Sequence, residues 1–237
     1  MGIDISSSGG VTLNKAHELR LKTHPNHTTW VKTQNGLTVK SIFTRVKARN
    51  GDGDGNPMIF ALKQAKGFNI NRHNLGRFRP CFYRILNEVL AAEQSPTVLC
   101  LPSNSPVAKT FASIVARETD GILVQDYFKK RTNKDNISSI DLENVKEKDR
   151  NLVNRKLSDL RKGPPMATIS LKDFKTQIRP YFDPIAINPH YNGPDVNDNV
   201  ILIDDLYSTG RTLDSAVSIL SAAGITCNKA FCLLSGV

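Results

Sequence analysis

Two adjacent carboxylates, Asp204 and Asp205, close an apolar run, and three residues later come Ser208, Thr209, Gly210, Arg211 and Thr212. A carboxylate pair at the end of a strand can accept hydrogen bonds from vicinal hydroxyls. A short hydroxyl- and glycine-containing turn that opens onto a helix presents amides to a phosphate. A ligand carrying both a sugar diol and a phosphate would satisfy both groups at once. An ordinary strand–turn–helix, with Asp205 and Ser208 shaping only the turn, is the plainer alternative.

Such residues need a strand before them and a helix after them. The run V-I-L-I over 200–203 supplies the strand. Leu213, Ala216, Val217 and Leu220 recur at helical spacing and give one apolar face. Thr212 is the expected N-cap, Gly224 the expected stop, and 230–234 the next buried strand. Strand, loop, helix and strand in that order make a piece of a parallel sheet, whose ligands bind beyond the carboxyl ends of the strands.

The segment 200–212, V-I-L-I-D-D-L-Y-S-T-G-R-T, resembles the 5-phosphoribosyl 1-pyrophosphate (PRPP) signature of the type I phosphoribosyltransferases. The resemblance implies a Rossmann-like α/β fold, with a parallel sheet flanked by helices and a small hood-like subdomain. It implies that Asp204 and Asp205 hold the ribose hydroxyls with Mg²⁺ nearby, as the catalytic and metal-binding pair. It further implies that Ser208, Thr209, Gly210, Arg211 and Thr212 wrap the 5-phosphate.

A second unit of the same kind lies upstream. The strand-like run 97–101 leads into P-S-N-S-P over 102–106 and a helix through Phe111, Ile114 and Val115. By the resemblance, Ser103, Asn104 and Ser105 meet the pyrophosphate, with Lys109 adding charge. A third strand is expected at 122–125. Beyond it, 126–155 is dense in charge and weak in apolar periodicity, which reads as a mobile connection or an exposed helix. If this is the family's closing loop, Lys129, Lys130 and Arg131 meet pyrophosphate there; a solvated basic linker fits the composition equally well.

The N-terminal third is less legible. Residues 1–30 read as a loosely ordered start with one short helix near 13–21. Two β-branched stretches flank Gln34, Asn35 and Gly36, a hairpin signal. Residues 51–56 read as a loop; Pro57 and Lys63 stand at the sixth and twelfth places where a calcium loop needs Gly and Glu. Helices are expected at 58–66 and 78–92, a short strand and helix at 168–178, and an irregular connection over 181–199. The division that follows is an N-terminal extension or hood-like unit at 1–57 and an α/β domain at 58–237, with a mobile loop at about 129–155.

Among branches of the family, the order of segments is most similar to the ComF type, associated with bacterial DNA uptake. Ala61-Leu-Lys63, Leu101-Pro102, Arg150-Asn151 and the terminal signature carry that similarity. The cysteine-rich module of that branch is missing, and P-S-N-S stands where P-V-P is usual.

The formal net charge of +10 over 237 residues suits polyanions, whether pyrophosphate, nucleotides or nucleic acid. No apolar run is long enough to span a bilayer, and no signal-peptide core is present, so a soluble, cytoplasmic chain is expected. Cys81, Cys100, Cys227 and Cys232 form no C-x-x-C pair, and His24 and His27 have no partners at zinc-site spacing. Neither G-x-x-x-x-G-K-[ST] nor a strand followed by G-x-G-x-x-G occurs.

Two functional expectations follow. One is a Mg²⁺-dependent phosphoribosyltransferase that joins PRPP to a nitrogenous base or related acceptor and releases pyrophosphate. The other is a non-catalytic PRPP or nucleotide sensor or adaptor, working with nucleic acid or protein through the basic surface. The acceptor and any homo-oligomeric assembly stay open at this point.

Overall fold

The computed structural model describes residues 1–33, 35–46, 57–196 and 199–235. At the start of the chain, β1 (Gly2–Ile5) and β2 (Val11–Asn14) form an antiparallel pair. Val11 and Leu13 are buried while Thr12 and Asn14 are half-buried, a period of two. The short helix expected near 13–21 is therefore absent: alternation, not helical spacing, carries the burial. After β3 (Leu21–Lys22), β4 (Thr29–Lys32) and β5 (Thr38–Arg45) pair antiparallel, as the hairpin signal predicts; Gln34 lies outside the described residues.

The expected loop at 51–56 also lies outside the described residues. Next comes α1 (Pro57–Leu62), shorter than the 58–66 expected, because Gln64 and Lys66 take positive φ. In contrast, α2 (Arg72–Leu90) starts six residues before the expected 78, capped by Asn71, whose side chain accepts from the Asn74 amide at 2.8 Å. Then follow β6 (Thr97–Cys100), α3 (Pro106–Glu118) and β7 (Ile122–Val124).

The charged stretch is not irregular. It folds as β8 (Phe128–Lys130), α4 (Asn133–Ser139) and α5 (Glu147–Lys162). In α4, Thr132 and Asp135 make a reciprocal capping box. Val145, Val153, Leu157 and Leu160 pack with Ile169, Phe174, Ile178 and Phe182 into a separate apolar cluster. These apolar residues are too sparse among charges to betray a helix by composition, yet 153, 157 and 160 share one face. Two 3₁₀ turns, Leu171–Asp173 and Thr176–Tyr181, replace the strand and helix expected at 168–178. The unit closes on β9 (Ile185–Ile187), which pairs antiparallel with β8.

The signature strand is β10 (Val200–Tyr207), followed by α6 (Arg211–Ala222) and β11 (Lys229–Ser235). The central sheet runs β3-β5-β11-β10-β6-β7, with β4 also on β5. All pairings from β5 through β11, β10 and β6 to β7 are parallel. The molecule is thus a mixed α/β fold with a mostly parallel sheet flanked by helices. Residues 38–45, assigned from the sequence to an N-terminal unit, are a strand of this sheet. Their alternation marks a strand but does not say whether it lies at an edge or inside.

Helices cover both faces. Phe111, Ala112 and Val115 of α3 join Ile85, Leu86 and Val89 of α2 on one side. Leu213, Ala216 and Leu220 of α6 pack on the other, as their spacing predicts. The chain leaves β6 through α3 toward β7 and leaves β10 through α6 toward β11, in opposite directions. The boundary between β6 and β10 is therefore a topological switch point, where loops part and a crevice opens at the carboxyl ends. All four cysteines are buried and unpaired. No helix among the described residues is long and apolar enough to cross a membrane.

Candidate functional site

That crevice is a cavity of about 500 Å³. One wall is the end of β10 and the turn after it: Asp204, Asp205, Ser208, Thr209, Arg211 and Thr212 line it. The facing wall is the loop after β6, with Ser103, Asn104 and Ser105. Lys63 enters from the residue after α1, and Lys130 from β8. Thr168, Ser170 and Arg179 of the inserted unit close the remaining side.

The two carboxylates have different surroundings. Asp205 is buried, 2.6 Å from Lys63 Nζ through Oδ2, and Ser103 Oγ donates to the same oxygen at 3.0 Å. Asp204 has no cation so close; its Oδ1 accepts the Asp205 amide at 2.8 Å. Burial, then the neighbouring Asp205 charge, push the Asp204 carboxyl from its ordinary 3.8 up to about 7. Behind it, burial also raises the thiols: Cys100 to about 12, and Cys232, opposite Asp204 in the sheet, well above its ordinary value. These cysteines are inert packing groups.

The turn is set by Gly210, which has φ +74° and stands at the N-cap where Thr212 was expected. A Cβ there would lie 3.0 Å from Cε2 of the Tyr207 ring. The helix begins at once, with Asp214 N donating to Gly210 O at 2.9 Å. Gly210 has no side chain with which to cap α6. The first turn of the helix, through Arg211 and Thr212, borders the cavity beside two exposed hydroxyl residues, Ser208 and Thr209. The opposite helix differs: the Ser105 side chain accepts from Val107 N at 3.3 Å and so caps α3.

Not every residue singled out from the sequence reaches the cavity. Lys129 and Arg131 are not among the lining residues; Lys130, between them, is, and its Nζ donates to Asn104 Oδ1 at 2.9 Å. The reason is the pleat of β8, which sends neighbouring side chains to opposite faces. Arg131 instead donates to Ser139 Oγ at 2.7 Å. Arg211 lines the cavity, but its Nη2 donates to Pro180 O at 2.8 Å and Asp183 Oδ1 at 3.1 Å, which ties α6 to the inserted unit. Ser215 Oγ donates to the same Asp183 oxygen at 3.4 Å. Lys63, Ser170 and Arg179 were not expected as site residues. They arrive from segments distant in sequence, and only the topology brings them here. Among the aromatic residues, Phe43 and Tyr207 are buried, while exposed Trp30 lies under Lys40 Nζ, 4.3 Å from the ring centroid.

A magnesium ion brought in on a pyrophosphate needs only one or two protein carboxylates, since phosphate and water oxygens complete its shell. Asp204 and Asp205 fit that requirement; among the described residues no group of three or more acidic, cysteine or histidine side chains makes a self-sufficient metal site. No protein-family profile matches this sequence, and no curated protein matches it.

Proposed function

We propose that the chain binds 5-phosphoribosyl 1-pyrophosphate and transfers its phosphoribosyl group to a nitrogen nucleophile, as a phosphoribosyltransferase of the type I fold. One observation carries this reading: an acidic pair and an uncapped, hydroxyl-rich helix start share a 500 Å³ cavity with a Ser-Asn-Ser loop at the switch point of a parallel sheet. Diol, phosphate and pyrophosphate thus each have a chemically matched wall.

In this reading the amides at 210–212, with Ser208 and Thr209, anchor the 5-phosphate remote from the reacting carbon. Asp204 and Asp205 accept from the ribose hydroxyls and offset positive charge that develops on the ring. Lys63 and Lys130 bring cationic charge to the side where pyrophosphate separates. Attack by the acceptor nitrogen on C1 forms the C–N bond as the C1–O bond breaks. The electron pair leaves with pyrophosphate, and the nitrogen's proton passes to solvent. A magnesium ion, held by Asp204 and Asp205, would supply Lewis-acid neutralisation of the departing pyrophosphate. The inserted unit at 128–187, roofing the cavity, excludes water from the reacting carbon.

A second reading is favoured by the Lys63–Asp205 pair. With Asp205 held by Lys63 and Ser103, ribose hydroxyls must compete for a carboxylate already engaged. That arrangement suits a PRPP-responsive binding protein without turnover.

Calorimetric titration with PRPP, with and without Mg²⁺, tests the shared premise. Magnesium-dependent binding that disappears in Asp205→Asn supports it. Undiminished binding in that variant, or none in the parent, overturns the site. Pyrophosphate release in the presence of candidate bases then separates transferase from sensor.

A further inference from the structure

On the other face of the sheet, a second cavity of about 530 Å³ lies between α1, α2 and α3. Its walls are apolar and aromatic: Phe43, Leu62, Phe82, Phe111, Ile114 and Leu233. At its mouth stand Arg72 and Arg79, both exposed and both on α2. Among the described residues neither has a carboxylate partner; Arg79 lies 5.6 Å from the Tyr83 ring centroid. Seven residues apart, the two arginines leave the same face of the helix, their Cα atoms about 10 Å apart along its axis, a span two long side chains can close from either side.

Between them on that face is Gly76, with nothing within 4 Å of where its Cβ would stand. One turn later comes Pro80, exposed and inside the same helix. Pro80 has no N–H to give to the Gly76 carbonyl. Both residues weaken a 19-residue helix, and no packing contact calls for the glycine. Local choices that oppose their own element mark sites where something other than stability is served. The glycine leaves an open notch between two unpaired arginines, at the edge of an apolar cleft large enough for a small organic ligand.

We propose that this cleft binds an amphiphilic carboxylate. Its chain or ring lies among Phe82, Phe111 and Ile114, and its head sits at Gly76 between Arg72 and Arg79. Guanidinium forks match a carboxylate with two parallel hydrogen bonds, and the apolar walls select the hydrophobic body. The proposal is independent of the PRPP reading. The sites lie on different walls, although consecutive residues Leu62 and Lys63 contribute to the two cavities.

Calorimetric titration of the full chain with sodium decanoate tests it, with 1-decanol as the neutral match. Saturable one-to-one binding of decanoate is expected, with weaker binding of the alcohol. In the Arg72→Gln/Arg79→Gln double variant, decanoate affinity should fall roughly tenfold or more, the scale of lost charge-assisted hydrogen bonds. Gly76→Leu should abolish binding by filling the notch. Leucine is the better helix former, so that loss cannot be assigned to unfolding. Equal affinity in parent and double variant, equal binding of the alcohol, or no saturable binding overturns the proposal. So does concentration-dependent dimerisation in sedimentation that a change of Leu75, an exposed apolar residue lining the cleft, to Glu (Leu75→Glu) removes, which would make a second copy the occupant.

Discussion

The ammonium of Lys63 lies 2.6 Å from Asp205 Oδ2, while Asp204, one residue earlier, has no cation at that range among the described residues. The pair of carboxylates is therefore asymmetric before any ligand arrives: one is compensated, and the other is burdened by burial and by its neighbour's charge.

Replacing Lys63 leaves Asp205 buried with Ser103 as its remaining partner. Lys63→Met should lower stability by about 1–3 kcal/mol at pH 8, the cost of stranding a buried polar partner. Urea unfolding at that pH measures this, and an unchanged midpoint would show that the ion pair contributes nothing to stability.

Asp204 sets a pH dependence of the opposite kind to that of a salt-bridged acid. Its pKa is about 7 folded against an ordinary 3.8, so between those values the folded state holds the extra proton. Stability from this group is present near pH 4 and declines as pH rises toward 7, then stays low. In metal-free buffer, Asp204→Asn should raise the melting temperature at pH 8 by several degrees and change it little at pH 4.5. A variant less stable than the parent at pH 8 would show that the carboxylate is stabilised as an anion.

Gly210→Ala places a Cβ against the Tyr207 ring in a backbone region that alanine disfavours. A cost of about 1–3 kcal/mol is expected, together with loss of PRPP binding, because the first amides of α6 are re-aimed. Calorimetry and thermal melts on the same sample separate the two effects. Unchanged binding would mean that the turn does not hold the phosphate.

Asp183 joins the inserted unit to α6 through Arg211 and Ser215. It is partly exposed, so Asp183→Ala should cost no more than about 1 kcal/mol of global stability. Its effect should be local: faster amide exchange over residues 176–187 and in the first turn of α6. Uniform acceleration across the sheet would indicate a global role instead.

The legible part of this molecule is the part whose order in sequence is also its order in space. Strand, turn and helix over 200–222 are contiguous, so the apolar run, the acidic pair and the helical period could be read together. The same holds for 97–118. Lys63 could not be read as a site residue: the Ala61-Leu-Lys63 segment is similar to the family, but nothing local says that the lysine turns toward the signature strand. Its role is created by β6, β10 and α1 converging at one end of the sheet. Residues 128–187 were obscured for a different reason. Their cluster buries one residue per helical turn among lysines and glutamates, too few to stand out from a solvated stretch. At β8 the residue types were legible and the facing was not: of Lys129, Lys130 and Arg131, the pleat turns only Lys130 into the cavity.

The strand order carries a consequence for synthesis. β10 and β11 sit at the centre of the sheet, yet they follow its other strands in sequence. β5 on one side and β6 with β7 on the other have no partner between them until residues 200–235 have left the ribosome. The nascent chain must hold two half-sheets apart, each with a hydrogen-bonding edge open, and close them with these later strands. The carboxylate pair and the helix start that make the cavity are on those strands or just after them. A ribosome stalled before residue 200 therefore carries an open sheet with neither acidic pair nor phosphate turn.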